Sequence, residues 1–405
     1  IYYNGQWRTI LMAGLGRDGY GYFALDVTTP ETPKFLFAFS NDPENKVVRH
    51  WGPDGSLTKQ TGSASGEFNY SKLGEAWSTP TIIAMPYGSA RKWVAAIGGG
   101  FNSNQNQNTA SAVYLIDLEN NGKVLKLTDL TDSPGGFINS APAQLTAVTP
   151  DSTAVAQYKG AFLYFTDIEG KLSKINLTNA GQLHGITELF DGEGNLVNQR
   201  AATFPVTASS DANGKVWLYF GTGNQDKLQL SLSTIQNRVF GIKDKKFPIF
   251  SPAPKSTSGS LKNVTHKGSV CPTEQDLGWY TNLGRDEKSV GKLAIHNGVL
   301  FAPNYTPDIT QQCYPGTSRL FELDYGCGKP LRSTSLGSGQ LTGVRIYKDK
   351  MYLGISGTSP RQKDESVKGA DGFTKKGNIV VGTPVKGSTG GGPGSVTLHS
   401  WREIF

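Results

Sequence analysis

Short apolar strands punctuated by glycine, proline and polar turns recur along this chain about every 45 to 60 residues, a period that marks propellers and solenoids. A Ser/Thr/Pro-bearing strand leads each repeat, as in Trp77-Ser-Thr-Pro-Thr-Ile-Ile, Ile138-Asn-Ser-Ala-Pro-Ala and Ala202-Thr-Phe-Pro-Val-Thr. A more apolar strand follows and runs into glycine or a polar loop: Trp93-Val-Ala-Ala-Ile-Gly-Gly-Gly, Phe162-Leu-Tyr-Phe-Thr-Asp, Trp217-Leu-Tyr-Phe-Gly-Thr-Gly. A third ends in a polar turn, as in Phe23-Ala-Leu-Asp, Tyr114-Leu-Ile-Asp and Phe321-Glu-Leu-Asp. This pattern predicts an all-β fold, a β-propeller, with blades near 74–131, 137–190, 200–250, 285–336 and 340–405. Residues 1–40 read as the outer part of a further blade that lacks its inner strand. Long loops are expected at 41–73, 251–276 and 386–394, and a docked terminal strand at Ser395–Phe405.

Composition sharpens this picture. Fifty glycines, 21 prolines and only three methionines favour many short strands with tight turns. No helical periodicity outlasts a turn or two, and no apolar run is long enough for a membrane-spanning helix. The chain opens inside a blade at Ile1-Tyr2-Tyr3. It therefore reads as one C-terminal propeller domain, 1–405, of a longer protein whose export signal lies upstream. The formal charge of +7 comes from lysines spread through turns. Nucleic acid is not an expected partner, because a binding groove needs a basic stripe beside stacked aromatic platforms. Cys271, Cys313 and Cys327 fit no metal-ligand spacing. Cys313 precedes a strand and Cys327 sits in the turn after it, which favours a Cys313–Cys327 disulfide across a hairpin mouth. A Cys271–Cys313 bridge and three free thiols remain open readings.

The ordered set Leu73-Gly-Glu-Ala-Trp-Ser-Thr-Pro, Lys92-Trp-Val-Ala-Ala-Ile-Gly-Gly-Gly-Phe-Asn-Ser and Ala112-Val-Tyr-Leu-Ile-Asp-Leu is continued by Leu163-Tyr-Phe-Thr-Asp-Ile-Glu-Gly-Lys-Leu and Tyr219-Phe-Gly-Thr-Gly-Asn. With Met12-Ala-Gly-Leu-Gly before it and Gly278-Trp-Tyr after, it resembles the C-terminal propeller of the PilC/PilY family. These are tip-associated adhesins of bacterial type IV pili, and the central motifs are closer to the PilC branch of Neisseria and Kingella. The resemblance implies a modified seven-bladed propeller. It further implies a place at the cell surface, outer membrane or pilus tip, and a role in pilus extension against retraction and in host-cell attachment. The implied partners are minor pilins at the tip and a host-cell surface ligand.

Many family members carry a calcium loop of pattern Asp-x-Asn/Asp-x-Asp-Gly-x-x-Asp, whose oxygens suit a hard cation. Here the corresponding stretch, Asp151–Lys159, retains only Asp151, and Lys159 stands where the last carboxylate belongs. A lysine there repels the ion, so neither metal nor cofactor is expected. Asp117-Leu-Glu-Asn-Asn121 and Asp191-Gly-Glu-Gly-Asn195 read as β-turns. His50, His184, His266, His296 and His399 are scattered, with no zinc spacing. A quinone-dependent propeller enzyme, the alternative function, needs adjacent cysteines and an acidic calcium cluster that this sequence lacks; a purely structural interaction module is the other alternative. No catalytic residue is expected. Recognition is assigned to loops, foremost Phe101, Asn102, Asn104, Gln105 and Asn106, whose amides suit sugars or peptide backbones.

Overall fold

The computed structural model describes residues 1–62, 65–102, 109–131, 139–150, 160–192, 200–211, 214–231, 234–252, 256–310, 315–356 and 372–387. Among them there is no α-helix, only strands, turns and two single 3-10 turns, so the all-β reading holds. No helix is long and apolar enough to cross a membrane. The chain divides into two compact units, one of residues 1–168, 172–187 and 248–252, the other of 169–171, 188–247 and 253–405.

In the first unit, a five-stranded antiparallel meander runs through Ile10–Gly14, Gly21–Asp26, Lys34–Asp42, Val47–Trp51 and Leu57–Thr61. Its last two strands correct the expectation of a long loop at 41–73. In Val47-Val-Arg-His-Trp51 burial alternates from Val48 onward, with Val47 buried as well, and Leu57–Thr61 is a polar outer strand that apolar patterning cannot reveal. The opening sheet therefore has five strands, two more than the sequence suggested, both added beyond Lys34–Asp42. Thr81–Tyr87, Ala90–Gly98, Ala112–Asp117 and Lys123–Asp129 make the next meander, in chain order. Thr146–Val148, Phe162–Thr166 and Leu172–Asn176 follow. Central strands such as Ala112–Asp117 and Phe162–Thr166 are buried at every position. Their continuous apolar runs are what a strand covered on both faces requires. One core gathers Tyr22, Phe37, Phe39, Tyr70 and Tyr114, and a second gathers Val94, Leu115, Leu163, Phe165 and Ile175.

In the second unit, Thr207–Ser210, Val216–Gly221, Arg238–Asp244 and Gly278–Asn282 pair antiparallel. The stretch 251–276 expected as loop is partly ordered. Lys262–Asn263 lies parallel beside Gly278–Asn282, and Ser256–Thr257 pairs in parallel with Ile186–Asp191 at Phe190 and Asp191. Val299–Thr306, Thr317–Asp324 and Pro330–Ser338 form the next sheet, with Lys288–Ser289 and Ala294–His296 on its first edge. The last sheet contains Gln340–Leu341, Arg345–Tyr347, Lys350–Ser356, Phe373–Lys376 and Ile379–Gly382. Its edges lie inside the expected 340–405 blade, while Ser395–Phe405 and most of 386–394 fall outside the described residues.

The cysteine pairing is also corrected. Cys271 bonds Cys327, with Cα atoms 5.0 Å apart and 56 residues of separation, so Cys313–Cys327 is not the bridge. Cys313 lies outside the described residues. Cys327 does sit in the turn after a strand, as expected, but the ordered insertion brings Cys271 to it. A hairpin-mouth argument could not foresee a partner delivered by a parallel edge strand.

Candidate functional site

The strand Ala90–Gly98 ends in Gly99-Gly100-Phe101, and the chain returns at Thr109-Ala110 to enter Ala112–Asp117. Between them lies the amide-rich loop expected to carry recognition. Its stem is built tightly. Phe101 bridges Glu75, donating its N–H to the Glu75 carbonyl at 3.0 Å and accepting from Glu75 N–H at 2.8 Å. Gly100 makes that approach possible: its φ is +94°, and a Cβ there would lie 1.9 Å from the Glu75 carbonyl oxygen. Asn102 Nδ2 donates to the Thr109 carbonyl at 3.4 Å, joining the two ends of the loop. Ala110 N–H donates to the Lys72 carbonyl at 2.7 Å.

A buried carboxylate organises the ground beside this stem. Glu75 Oε2 accepts from the Asp18 backbone N–H at 3.1 Å and from Trp77 Nε1 at 3.0 Å. Trp77 thereby lies stacked on Phe101, with ring centroids 4.3 Å apart and planes within 15°. The same network fixes the turn 15–18, since Gly16 bridges Ala76 and Ala76 N–H donates to the Gly19 carbonyl at 2.7 Å. Tyr20 beside it has its phenol pKa raised, by burial first and then by the negative charges of Glu75, Asp18 and Glu44. Beside this stem stand exposed Leu15, Arg17 and Asp18 and half-buried Trp77.

Phe101 and Asn102 are therefore scaffold: both are about 95% buried, and neither side chain can meet a partner directly. Asn104, Gln105 and Asn106 lie outside the described residues, as does the Asp151–Lys159 stretch. Asp117-Leu-Glu-Asn-Asn121 forms the expected turn, with Asp117 Oδ1 accepting from Glu119 N–H at 2.9 Å and Asn121 at φ +53°. Among the described residues no group of three or more His, Cys, Asp or Glu side chains could hold a metal ion. His50 is packed against Phe68 at 3.8 Å and its Nε2–H donates to the Asn121 carbonyl at 2.7 Å, a structural task. Sequence reasoning missed the Glu75–Trp77–Asp18 network. Its only trace is Gly-Glu-Ala-Trp, where an acid stands among small and apolar residues just before a strand and needs buried donors.

Residues 1–270 match the family described as the PilY1 beta-propeller domain. A curated relative from Xylella fastidiosa (strain Temecula1), a type IV pilus biogenesis factor PilY1 homolog, is 25% identical over 89% of this chain and 25% of its own length. The type IV pilus biogenesis factor PilY1 of Pseudomonas aeruginosa (strain PAO1) is 29% identical over 44% of this chain and 12% of its own length. The chain thus spans about a quarter or less of the curated relatives it matches. The crystal structure of the Pseudomonas aeruginosa PilY1 C-terminal domain superposes with a TM-score of 0.62 at 17% identity. It covers 88% of this chain and 81% of that one. The successive meanders are accordingly the blades of a β-propeller, and the chain belongs to the PilY1 β-propeller family.

Proposed function

We propose that this chain is the propeller of a type IV pilus biogenesis factor, acting at the bacterial surface or pilus tip by binding other macromolecules. The observation that carries the reading is the family match over residues 1–270. The stem at Glu75, Trp77 and Phe101 supports binding, because a rigid base presenting a polar loop is how propellers display recognition elements. On this reading all 405 residues serve as one propeller domain of a longer protein. Minor pilins are its partners on the pilus side, and a host-surface ligand its partner on the other. The whole promotes pilus extension by opposing retraction. Catalysis has less support, since Cys271, Cys313 and Cys327 are nowhere adjacent in the sequence.

A pull-down of the chain with each minor pilin tests the assembly role, and direct capture of at least one is expected. Capture of none, with the chain folded by circular dichroism, would overturn it. Deleting 102–109 and measuring adhesion and surface piliation tests the loop separately. Unchanged values in both would remove the loop from the proposal and leave the assembly role standing.

A further inference from the structure

Among the described residues, the last sheet packs one face into a core and leaves the other more open. Along its central strand Lys350–Ser356, buried and open positions alternate. Met351, Leu353 and Ile355 join Phe373 and Val380 in a core. The register sets the opposite face: Arg345 lies across from Tyr352, Tyr347 from Lys350, and Val381 from Tyr352. Tyr347 is 63% exposed and Ile379 53%, while Arg345 and Lys350 are exposed too. By contrast Val216–Gly221, central to its own sheet in the same unit, is buried throughout. Tyr347, Tyr352, Ile379 and Val381 thus line one face of the sheet, two of them exposed and two half-buried.

Charge says what kind of partner fits. The open face carries Arg345 and Lys350, and its turn Lys348, against one acid, Asp349. That acid stands at the turn tip, 3.4 Å from His296, and does not balance the face. The turn is a tight one with Lys348 at φ +48° and Asp349 at φ +57°, and it swings the Lys348 ammonium to 5.2 Å from the Tyr347 ring. Positive groups thus frame an aromatic and aliphatic centre. A second copy of this chain would meet the face with a net charge of +7, and like charge disfavours it. Residues 388–405 hold Arg402 and His399 beside Glu403 and offer little negative charge.

We propose that the open face of the last sheet, centred on Tyr347, Tyr352 and Ile379 and framed by Arg345 and Lys350, docks an acidic polypeptide of a partner protein. Apolar side chains of the partner cover the stripe, and its carboxylates meet the frame. The site belongs to the second unit and the loop stem to the first. It stands without the assembly reading, and names only the partner's chemistry.

The test uses the full chain with a random Glu/Tyr copolymer as the acidic polypeptide probe and heparin as a sugar polyanion. Saturable copolymer binding is expected, weakening about tenfold between 50 and 300 mM NaCl as screening grows. It should fall at least about tenfold in Arg345→Glu/Lys350→Glu and in Tyr347→Ser, because these exposed positions leave the buried core intact. Thermal melts of both variants check that they fold. Three results would each overturn the proposal. One is binding of heparin as tight as the copolymer and indifferent to Tyr347→Ser, which reduces the face to bulk charge. Another is concentration-dependent self-association abolished by Tyr347→Ser, which assigns the face to a second copy. The third is protection of Arg345–Tyr347 amides in the free chain that is lost when residues 388–405 are removed, which assigns it to the chain's own tail.

Discussion

Substituting Gly241 by alanine adds one methyl group where the fold has no room for it. Gly241 pairs directly across from Trp279, and the ring lies over it. A Cβ at 241 would sit 2.4 Å from Trp279 Cε2 and 2.7 Å from Nε1. Ordinary carbon contacts are about 3.5 to 4.0 Å, so the ring must retreat by about 1 Å. It has nowhere to go. Gly328 also lies against the ring, and a Cβ there would fall 2.2 Å from Cε3. Trp279 is fully buried, and its Nε1–H donates to the Tyr325 carbonyl at 3.2 Å. Overpacking of a filled core costs about 1 to 3 kcal/mol, and displacing the indole strains a hydrogen bond contributing about 1 kcal/mol more. Gly241→Ala should therefore destabilise by about 3 kcal/mol, a fall in Tm of roughly 6 to 12 °C for a cooperative unit of this size. Urea unfolding followed by circular dichroism measures it on wild type, Gly241→Ala, Trp279→Leu and the double variant. Leucine frees the space, so adding Gly241→Ala to Trp279→Leu should cost less than about 1 kcal/mol, giving a coupling of about 2 kcal/mol or more. A Gly241→Ala penalty under about 0.5 kcal/mol, or the same penalty in both backgrounds, would refute the reasoning.

Cys271→Ser opens a loop of 56 residues, for which chain entropy gives about 4 kcal/mol of lost stability. Cys313→Ser should change the urea midpoint little, and thiol titration of the unreduced, unfolded chain should find one free cysteine; three would sink the bridge. His50 has its pKa lowered, by burial first, against the hydrogen bond to Asn121 that raises it. The unfolded chain then takes up a proton before the folded one does, so this contribution is intact above about pH 6.5 and is lost as pH falls through the lower folded value. Urea midpoints compared from pH 7.5 to 5.5 should decline less in His50→Gln than in wild type; parallel declines would count against this. Trp77→Ala removes the ring stacked on Phe101 and leaves Glu75 short of one donor. It should increase protease cutting between 102 and 109 severalfold while the Tm falls by only a few degrees, and equal cutting rates would show that the stem does not depend on it.

The blades were legible wherever a strand is covered on both faces, because only then does burial demand an unbroken apolar run. Phe162–Thr166 and Val216–Gly221 announce themselves this way. Strands with a wet face do not. Leu57–Thr61 is polar because water meets it, and so it reads as a loop. Lys348-Asp349 turns with both residues at positive φ, where Asn-Gly is the usual signal, so the hairpin gives no warning of itself. The disulfide was hidden for a different reason: its geometry depends on Lys262–Asn263 joining an edge in parallel, a long-range choice that local spacing does not encode. The candidate sites follow the same rule. The stretch after Gly98-Gly-Gly-Phe stood out in sequence by its run of amides, whereas the open face of the last sheet carries no such compositional mark. Its Arg345, Tyr347 and Lys350 alternate with Ile346 and Met351 as any half-buried strand would, and only the register reveals that they share one uncovered surface. Alternation tells which residues face away from a core. It does not tell whether water or a partner waits on the other side, and in a fold built by stacking sheets that distinction separates a blade's interior from a binding surface.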